Sequence, residues 1–80
     1  MPTVHFPRGL MQFTGGIETL AVDAARVHEL MMALTERFPD LAGPLAEMAV
    51  AIDGEIHQDP GYQSLAPDSE VHLIPRIAGG

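Results

Sequence analysis

The chain contains no cysteine, no lysine and no tryptophan, and its only basic residues are Arg8, Arg26, Arg37 and Arg76. Each absence removes a class of chemistry. Without cysteine there is no disulfide staple, no thiol nucleophile and no thiolate metal site, and a reducing cytoplasm is the expected compartment. Without lysine the chain offers no side-chain ammonium to accept an isopeptide bond, so it cannot build chains on itself. Four scattered arginines against 11 carboxylates leave a formal net charge of -7. That balance argues against a nucleic-acid binder, whose affinity depends on clustered cations facing phosphates. Carboxylates such as Asp53, Glu55, Asp59, Asp68 and Glu70 either steer the chain toward a basic protein partner or simply keep it soluble. The longest apolar runs, residues 30–34 and 48–52, fall far short of the ~20 residues that span a bilayer. Residues 1–5 lack the charged and apolar regions of a signal peptide. The expectation is a soluble, cytoplasmic protein with no membrane association.

What is present fits one small domain of 80 residues, a size that buries only about 60% of the unfolded chain's surface. Thr3-Val4-His5-Phe6 alternates like a half-buried strand, broken by Pro7-Arg8-Gly9. After the paired glycines of Phe13-Thr14-Gly15-Gly16, residues 18–22 have the composition of a second strand, with Leu20 and Val22 on one face. Over residues 26–38, Val27, Leu30, Met31, Leu34 and Phe38 recur at the spacing of one helical face, and Pro39 ends the run. The helix start is poorly marked, since Asp23, the nearest good capping residue, stands well ahead of Val27. Residues 48–52 read as a strand, Asp53-Gly54 as a turn, and Glu55-Ile56-His57 as its return. Residues 61–65 are too short for more than a helical turn, Pro67-Asp68-Ser69 is a tight turn, and residues 70–74 form a last strand stopped by Pro75.

One amphipathic helix must bury its stripe against something, and the simplest packing lays Leu30, Leu34 and Phe38 on a mixed sheet. The inner face of that sheet is expected to be Val4, Phe6, Leu20, Val22, Val50, Ile52, Val71 and Leu73. Two antiparallel strands, a helical crossover and a last strand beside the first make an α+β fold of β-grasp (ubiquitin-like) type, with four to five strands and one main helix. The domain is expected over residues 1–75, with 76–80 a flexible tail.

That tail ends in Ala78-Gly79-Gly80. Gly makes up 8 of the 80 residues, so two terminal glycines arise by chance in roughly one chain in a hundred. Lacking Cβ, glycine enters channels closed to other residues. Gly-Gly here is therefore either a reactive end that an enzyme reaches or a frayed terminus.

The strand, the glycine turn, the helix ending Arg37-Phe38-Pro39, the Ala51-Ile52-Asp53-Gly54 turn, Pro67-Asp68-Ser69-Glu70 and the closing Val71-His72-Leu73-Ile74-Pro75-Arg76-Ile77-Ala78-Gly79-Gly80 together resemble the ubiquitin-like sulfur carriers of the MoaD and ThiS type. The resemblance covers nearly the whole chain. Family members typically end Pro-Pro-Val-Ala-Gly-Gly; here Arg76 stands where a second proline is common. Phe13-Thr14-Gly15-Gly16 further looks like carriers of the CysO type, which feed cysteine synthesis.

The resemblance implies that an E1-like adenylating enzyme activates the Gly80 carboxylate with ATP and magnesium, and that a sulfur donor protein then converts it to a thiocarboxylate. Gly80 is the attachment point, with Gly79 beside it. The carrier binds no cofactor and needs no catalytic side chain, which agrees with the absence of a phosphate loop ending in Lys and of a Cys nucleophile. The implied acceptor is an enzyme such as the large subunit of molybdopterin synthase; thiamine-thiazole or cysteine synthesis, or conjugation to protein lysines, are the alternatives. Extended, residues 76–80 reach about 17 Å. Partner contact is expected from Arg76, Ile77 and Ala78 and from Ile74 and His72 on the outer sheet face.

His5 and His72 are expected to be neighbours on that outer face, as a solvated pair rather than a metal site, since no further ligands are evident. Ile74 with Ala49 and Ala51 makes either an apolar docking patch or ordinary surface. Met31 belongs to the helical stripe, although Met11, Met31, Met32 and Met48 together have the composition of an adaptable surface. Asp53, Glu55 and Asp59 do not match a calcium loop.

Overall fold

The computed structural model describes residues 1–57 and 61–75. The sequence-based assignments that fall on Asp59 and on residues 76–80 lie outside the described residues. The elements follow the order read from the sequence: β1 (Thr3–His5), α1 (Met11–Thr14), β2 (Thr19–Ala21), α2 (Val27–Arg37), α3 (Ala42–Ala46), β3 (Met48–Ile52), β4 (Glu55–His57) and β5 (Glu70–Pro75). Two short helices are added to the one expected. α1 follows a 3-10 turn over Arg8–Leu10 inside the first hairpin, and α3 follows another over Pro39–Leu41. Neither has enough residues for a 3.6-residue period to show in the sequence.

The first hairpin closes on α1. Gly15 and Gly16 have φ of 70° and 88°, values that L side chains rarely adopt, and the Gly16 N–H reaches back 2.9 Å to the Met11 carbonyl. The buried Thr14 hydroxyl donates to the Ile17 carbonyl at 3.0 Å, which fixes where the chain enters β2.

α2 begins without a side-chain cap at Arg26. Its first amides find partners far along the chain instead: Val27 N–H donates to the Gln63 carbonyl and His28 N–H to the Gly61 carbonyl, each at 3.0 Å. Glu29, the third residue of the helix, reaches back to accept the N–H of Ala25, the residue before the N-cap, at 3.0 Å. The segment that caps the helix is itself held by Leu65 N–H donating to the Ala25 carbonyl at 2.8 Å. A cap supplied by main-chain carbonyls carries no residue-type signal, which is why the helix start is poorly marked in the sequence.

The five strands run in the order β2-β1-β5-β3-β4. β1 pairs with β2 antiparallel and with β5 parallel, in register Val4 with Val71 and His5 with His72. β3 joins β5 antiparallel, from Met48 opposite Pro75 to Ile52 opposite Val71. This is the β-grasp arrangement. Pro75 sits inside the last strand rather than after it, at the final position of the ladder, where a missing N–H is tolerated. The β3–β4 turn holds Asp53 at φ 50° and Gly54 at φ 88°, both left-handed, as a tight hairpin requires. Asp53 also ties the turn to β5, because its Oδ1 accepts the Glu70 N–H at 2.9 Å.

The core lies between the sheet and α2. Val4, Leu30, Leu34, Leu41 and Val71 are fully enclosed, each contributing roughly 1.5–3 kcal/mol relative to exposure. Phe6, Val22, Val50 and Leu73 are buried as expected, while Leu20, Ile52 and Phe38 are half-buried at its margin. Phe38 meets Phe6 edge-on, with centroids 6.3 Å apart. Four core leucines stand outside the expected set: Leu10, Leu41, Leu45 and Leu65. They come from turns and short helices, where a single apolar residue belongs to no period.

Candidate functional site

The chain leaves the described domain from the middle of the sheet, since β5 is flanked by β1 on one side and β3 on the other. Alternate residues of β5 face opposite ways: Val71 and Leu73 are buried in the core, whereas His72 is exposed and Ile74 half-buried on the outer, helix-free face. Both therefore stand on one surface, beside the last described residue, Pro75. Arg76, Ile77, Ala78, Gly79 and Gly80, to which the sequence assigns partner contact and attachment, lie outside the described residues.

Registers between strands place a row across the outer face: Ile56 on β4, Ala51 on β3, His72 on β5, His5 on β1 and Thr19 on β2. Ala49 lies opposite Ile74 in the same way. The expected apolar patch of Ile74, Ala49 and Ala51 differs in one respect. Both alanines are buried, at 4% and 6% exposure, because a methyl group is short beside the larger side chains opposite it. The apolar surface offered to solvent is Ile56, 59% exposed, together with part of Ile74. Ile56 was not singled out from the sequence; its position opposite Ala51, an apolar residue on the outer side of an edge strand, is the signal that would have found it.

His5 and His72 stack with ring centroids 4.2 Å apart and planes 6° from parallel. His5 Nε2 lies 2.8 Å from Glu70 Oε1, so one imidazole is held by a carboxylate and the other rests on it. Parallel rings direct their in-plane lone pairs side by side rather than to a common point, which suits a surface stack and not a shared metal. Among the described residues no group of three or more His, Asp or Glu is placed to hold a metal ion. No helix of the described residues is long and apolar enough to cross a membrane.

This geometry presents a terminal strand in the sheet centre and an outer face with Ile56, Ile74 and His72; in the sequence, Gly79 and Gly80 follow Pro75 by four and five residues. The model of the ThiS family matches residues 4–80, from β1 through the closing glycines. The chain belongs to the ThiS family. Its fold is the ubiquitin-like β-grasp. No curated protein sequence matches this ThiS-family chain. Among solved structures it is similar to the Amycolatopsis orientalis BexX/CysO complex, at 20% identity over 100% of both chains with a TM-score of 0.86. The small archaeal modifier protein 1 (SAMP1) of Methanosarcina acetivorans is similar at 18% identity, covering 99% of this chain and 95% of that one, with a TM-score of 0.83. The complex of subunits 1 and 2 of molybdopterin-converting factor from Helicobacter pylori matches at 22% identity over 99% and 97%, with a TM-score of 0.71. At these identities the likeness establishes the fold, and the family match establishes membership. Two of these three relatives are described in complexes with partner proteins.

Proposed function

We propose that this protein carries sulfur on its C-terminal carboxyl group. An E1-like partner, using ATP and magnesium, joins the Gly80 carboxylate to AMP with loss of pyrophosphate. A sulfur donor protein then supplies the sulfur that displaces AMP, leaving Gly80 as a thiocarboxylate for delivery to an acceptor enzyme. Gly79 and Gly80 are the reacting end, and their lack of Cβ lets them enter a narrow active site. Arg76, Ile77 and Ala78 span the distance from the sheet, while Ile74, His72 and Ile56 give the partner a surface to dock on.

The observation that carries this reading is the family match running through the Gly-Gly end, in a chain whose composition offers no cysteine or lysine nucleophile of its own. For the acceptor we propose a molybdopterin precursor, with the protein acting as the small subunit of the synthase. The complex of molybdopterin-converting factor subunits, whose fold matches over nearly all of both chains, supports that choice.

The test is intact-mass measurement of the purified chain after incubation with its activating enzyme, ATP and a sulfur donor. Exchange of one carboxyl oxygen for sulfur supports the carrier reading. High-mass lysine conjugates would instead identify a modifier, as the likeness to SAMP1 allows. An unchanged mass with an activating enzyme proven on a related carrier would overturn both.

A further inference from the structure

β2 forms one edge of the sheet, and among the described strands its neighbour is β1 alone. The register shows which of its main-chain groups are free. Phe6 N–H donates to the Glu18 carbonyl and Val22 N–H to the Pro2 carbonyl, each at 2.9 Å, and Val4 lies opposite Leu20 midway between them. In an antiparallel pair such hydrogen-bonded positions alternate with positions whose N–H and C=O point the other way. Thr19 and Ala21 therefore turn their main-chain donors and acceptors outward, away from β1. Both residues are exposed. The devices that usually blunt a free edge are missing here: residues 17–23 hold no proline or lysine, and the register with β1 runs without a bulge.

The edge leads into a groove. Asp23 follows Ala21 after one residue and lines, with α2, a hollow of about 480 Å³. Met32 and Ala33 supply apolar surface there, Asp23, Glu29 and Glu36 supply carboxylates, and no arginine takes part. Met32 is 58% exposed. The one ion pair among the described residues joins His5 to Glu70, so these three carboxylates, and Glu18 at the other end of β2, have no cation of the described chain beside them.

We propose that β2 is a docking edge for an extended, basic segment of a partner protein, which adds a strand beside Thr19 and Ala21 and runs on into the groove. The segment's main chain bonds to the outward N–H and C=O groups of those two residues. Alternation sets what its side chains must be: the one beside Leu20, which is half-buried on the helix side, is apolar, and those reaching Asp23, Glu29 and Glu36 are cationic. Charge selects the occupant, because a chain of formal net charge -7 repels a second copy of itself and draws a basic segment. The edge uses none of Ile56, Ile74, His72 or Gly80, so it goes beyond the carrier reading and stands or falls without it.

The probe is a synthetic peptide of alternating threonine and valine ending in a run of lysines, titrated into the isotope-labelled full chain and followed by NMR. The Thr19 and Ala21 amides are expected to shift and to exchange more slowly, with Asp23, Glu29 and Glu36 shifting beside them and Ile56 and Tyr62 unmoved. Ala21→Pro removes an outward N–H and leaves the ladder with β1 whole; it is expected to weaken binding about tenfold while the far-UV circular dichroism spectrum is kept. Asp23→Asn combined with Glu36→Gln leaves the edge intact and is expected to weaken binding and flatten its salt dependence. Equal binding of a peptide ending in glutamates, undiminished binding by Ala21→Pro, or shifts centred on Ile56 and His72 would each overturn the proposal. So would unmoved Thr19 and Ala21 amides at millimolar peptide, or contacts at Thr19 between labelled and unlabelled copies without peptide, which would seat a second molecule of this chain on the edge.

Discussion

His5 and His72 stack across β1 and β5 with their planes 6° from parallel and their centroids 4.2 Å apart. The two residues are direct partners in the parallel register, so the stack reports that the last strand has returned beside the first. It lies on the outer face, and His5 is further held by Glu70.

An exposed cross-strand pair contributes roughly 0.2–1 kcal/mol, and a surface ion pair about 0–1 kcal/mol. His72→Ala and Glu70→Gln are therefore each expected to lower the urea-unfolding free energy by no more than about 1 kcal/mol. A loss of several kcal/mol in either variant would show that the stack is part of the structural core.

Ile74 and Ile56 offer the apolar surface of the same face. Ile74→Asp, combined with Ile56→Asp, is expected to slow activation by the partner enzyme mainly through a raised KM for the carrier, while the far-UV circular dichroism spectrum is retained. An unchanged KM would remove the outer face from the docking surface.

Removal of Gly80 is expected to abolish the oxygen-for-sulfur mass change altogether. Among the described residues every member of the core cluster lies within residues 4–73, and the same deletion is expected to leave stability within about 0.5 kcal/mol of the full chain. A lower melting temperature would mean that the end of the chain takes part in the fold.

Leu34 is fully enclosed under the sheet. Leu34→Ala is expected to cost about 2–5 kcal/mol, a large share of the roughly 4–12 kcal/mol available to a domain of this length. Urea titration reads this directly, and a cost below 1 kcal/mol would contradict the packing.

Asp53 acts through its side chain and its backbone together. Its carboxylate accepts the Glu70 N–H at 2.9 Å, and its left-handed φ suits Asp better than Ala. Asp53→Ala is expected to destabilise by about 1–3 kcal/mol, and Asp53→Asn, which keeps an acceptor and tolerates that φ, by less. Equal losses in the two variants would show that the hydrogen bond contributes little.

Much of this was legible residue by residue. The stripe of Val27, Leu30 and Leu34 is a local period, and so is the alternation of Val71, His72, Leu73 and Ile74; each records which side of its own element meets the core. Asp53-Gly54 and Gly15-Gly16 likewise announce left-handed turns that few other residues make. Leu10, Leu41, Leu45 and Leu65 carry no such record, because a lone leucine in a turn becomes a core residue only through what folds over it. The start of α2 is the same case: its cap is two main-chain carbonyls, those of Gly61 and Gln63, more than thirty residues further along the chain.

By itself, then, the sequence determined the chemical inventory and the local geometry: a glycine end, no thiol and no lysine, one long amphipathic helix, and strands whose faces alternate. Those follow from side-chain chemistry and from periods of 3.6 and 2, which act over a few residues. Tertiary structure alone decided that Ala49 and Ala51 are covered while Ile56 is not, that the segment 61–65 caps α2, and that β2 is left at an edge of the sheet. These depend on contacts between distant parts of the chain, and such contacts take effect only when the whole sheet has closed around β5.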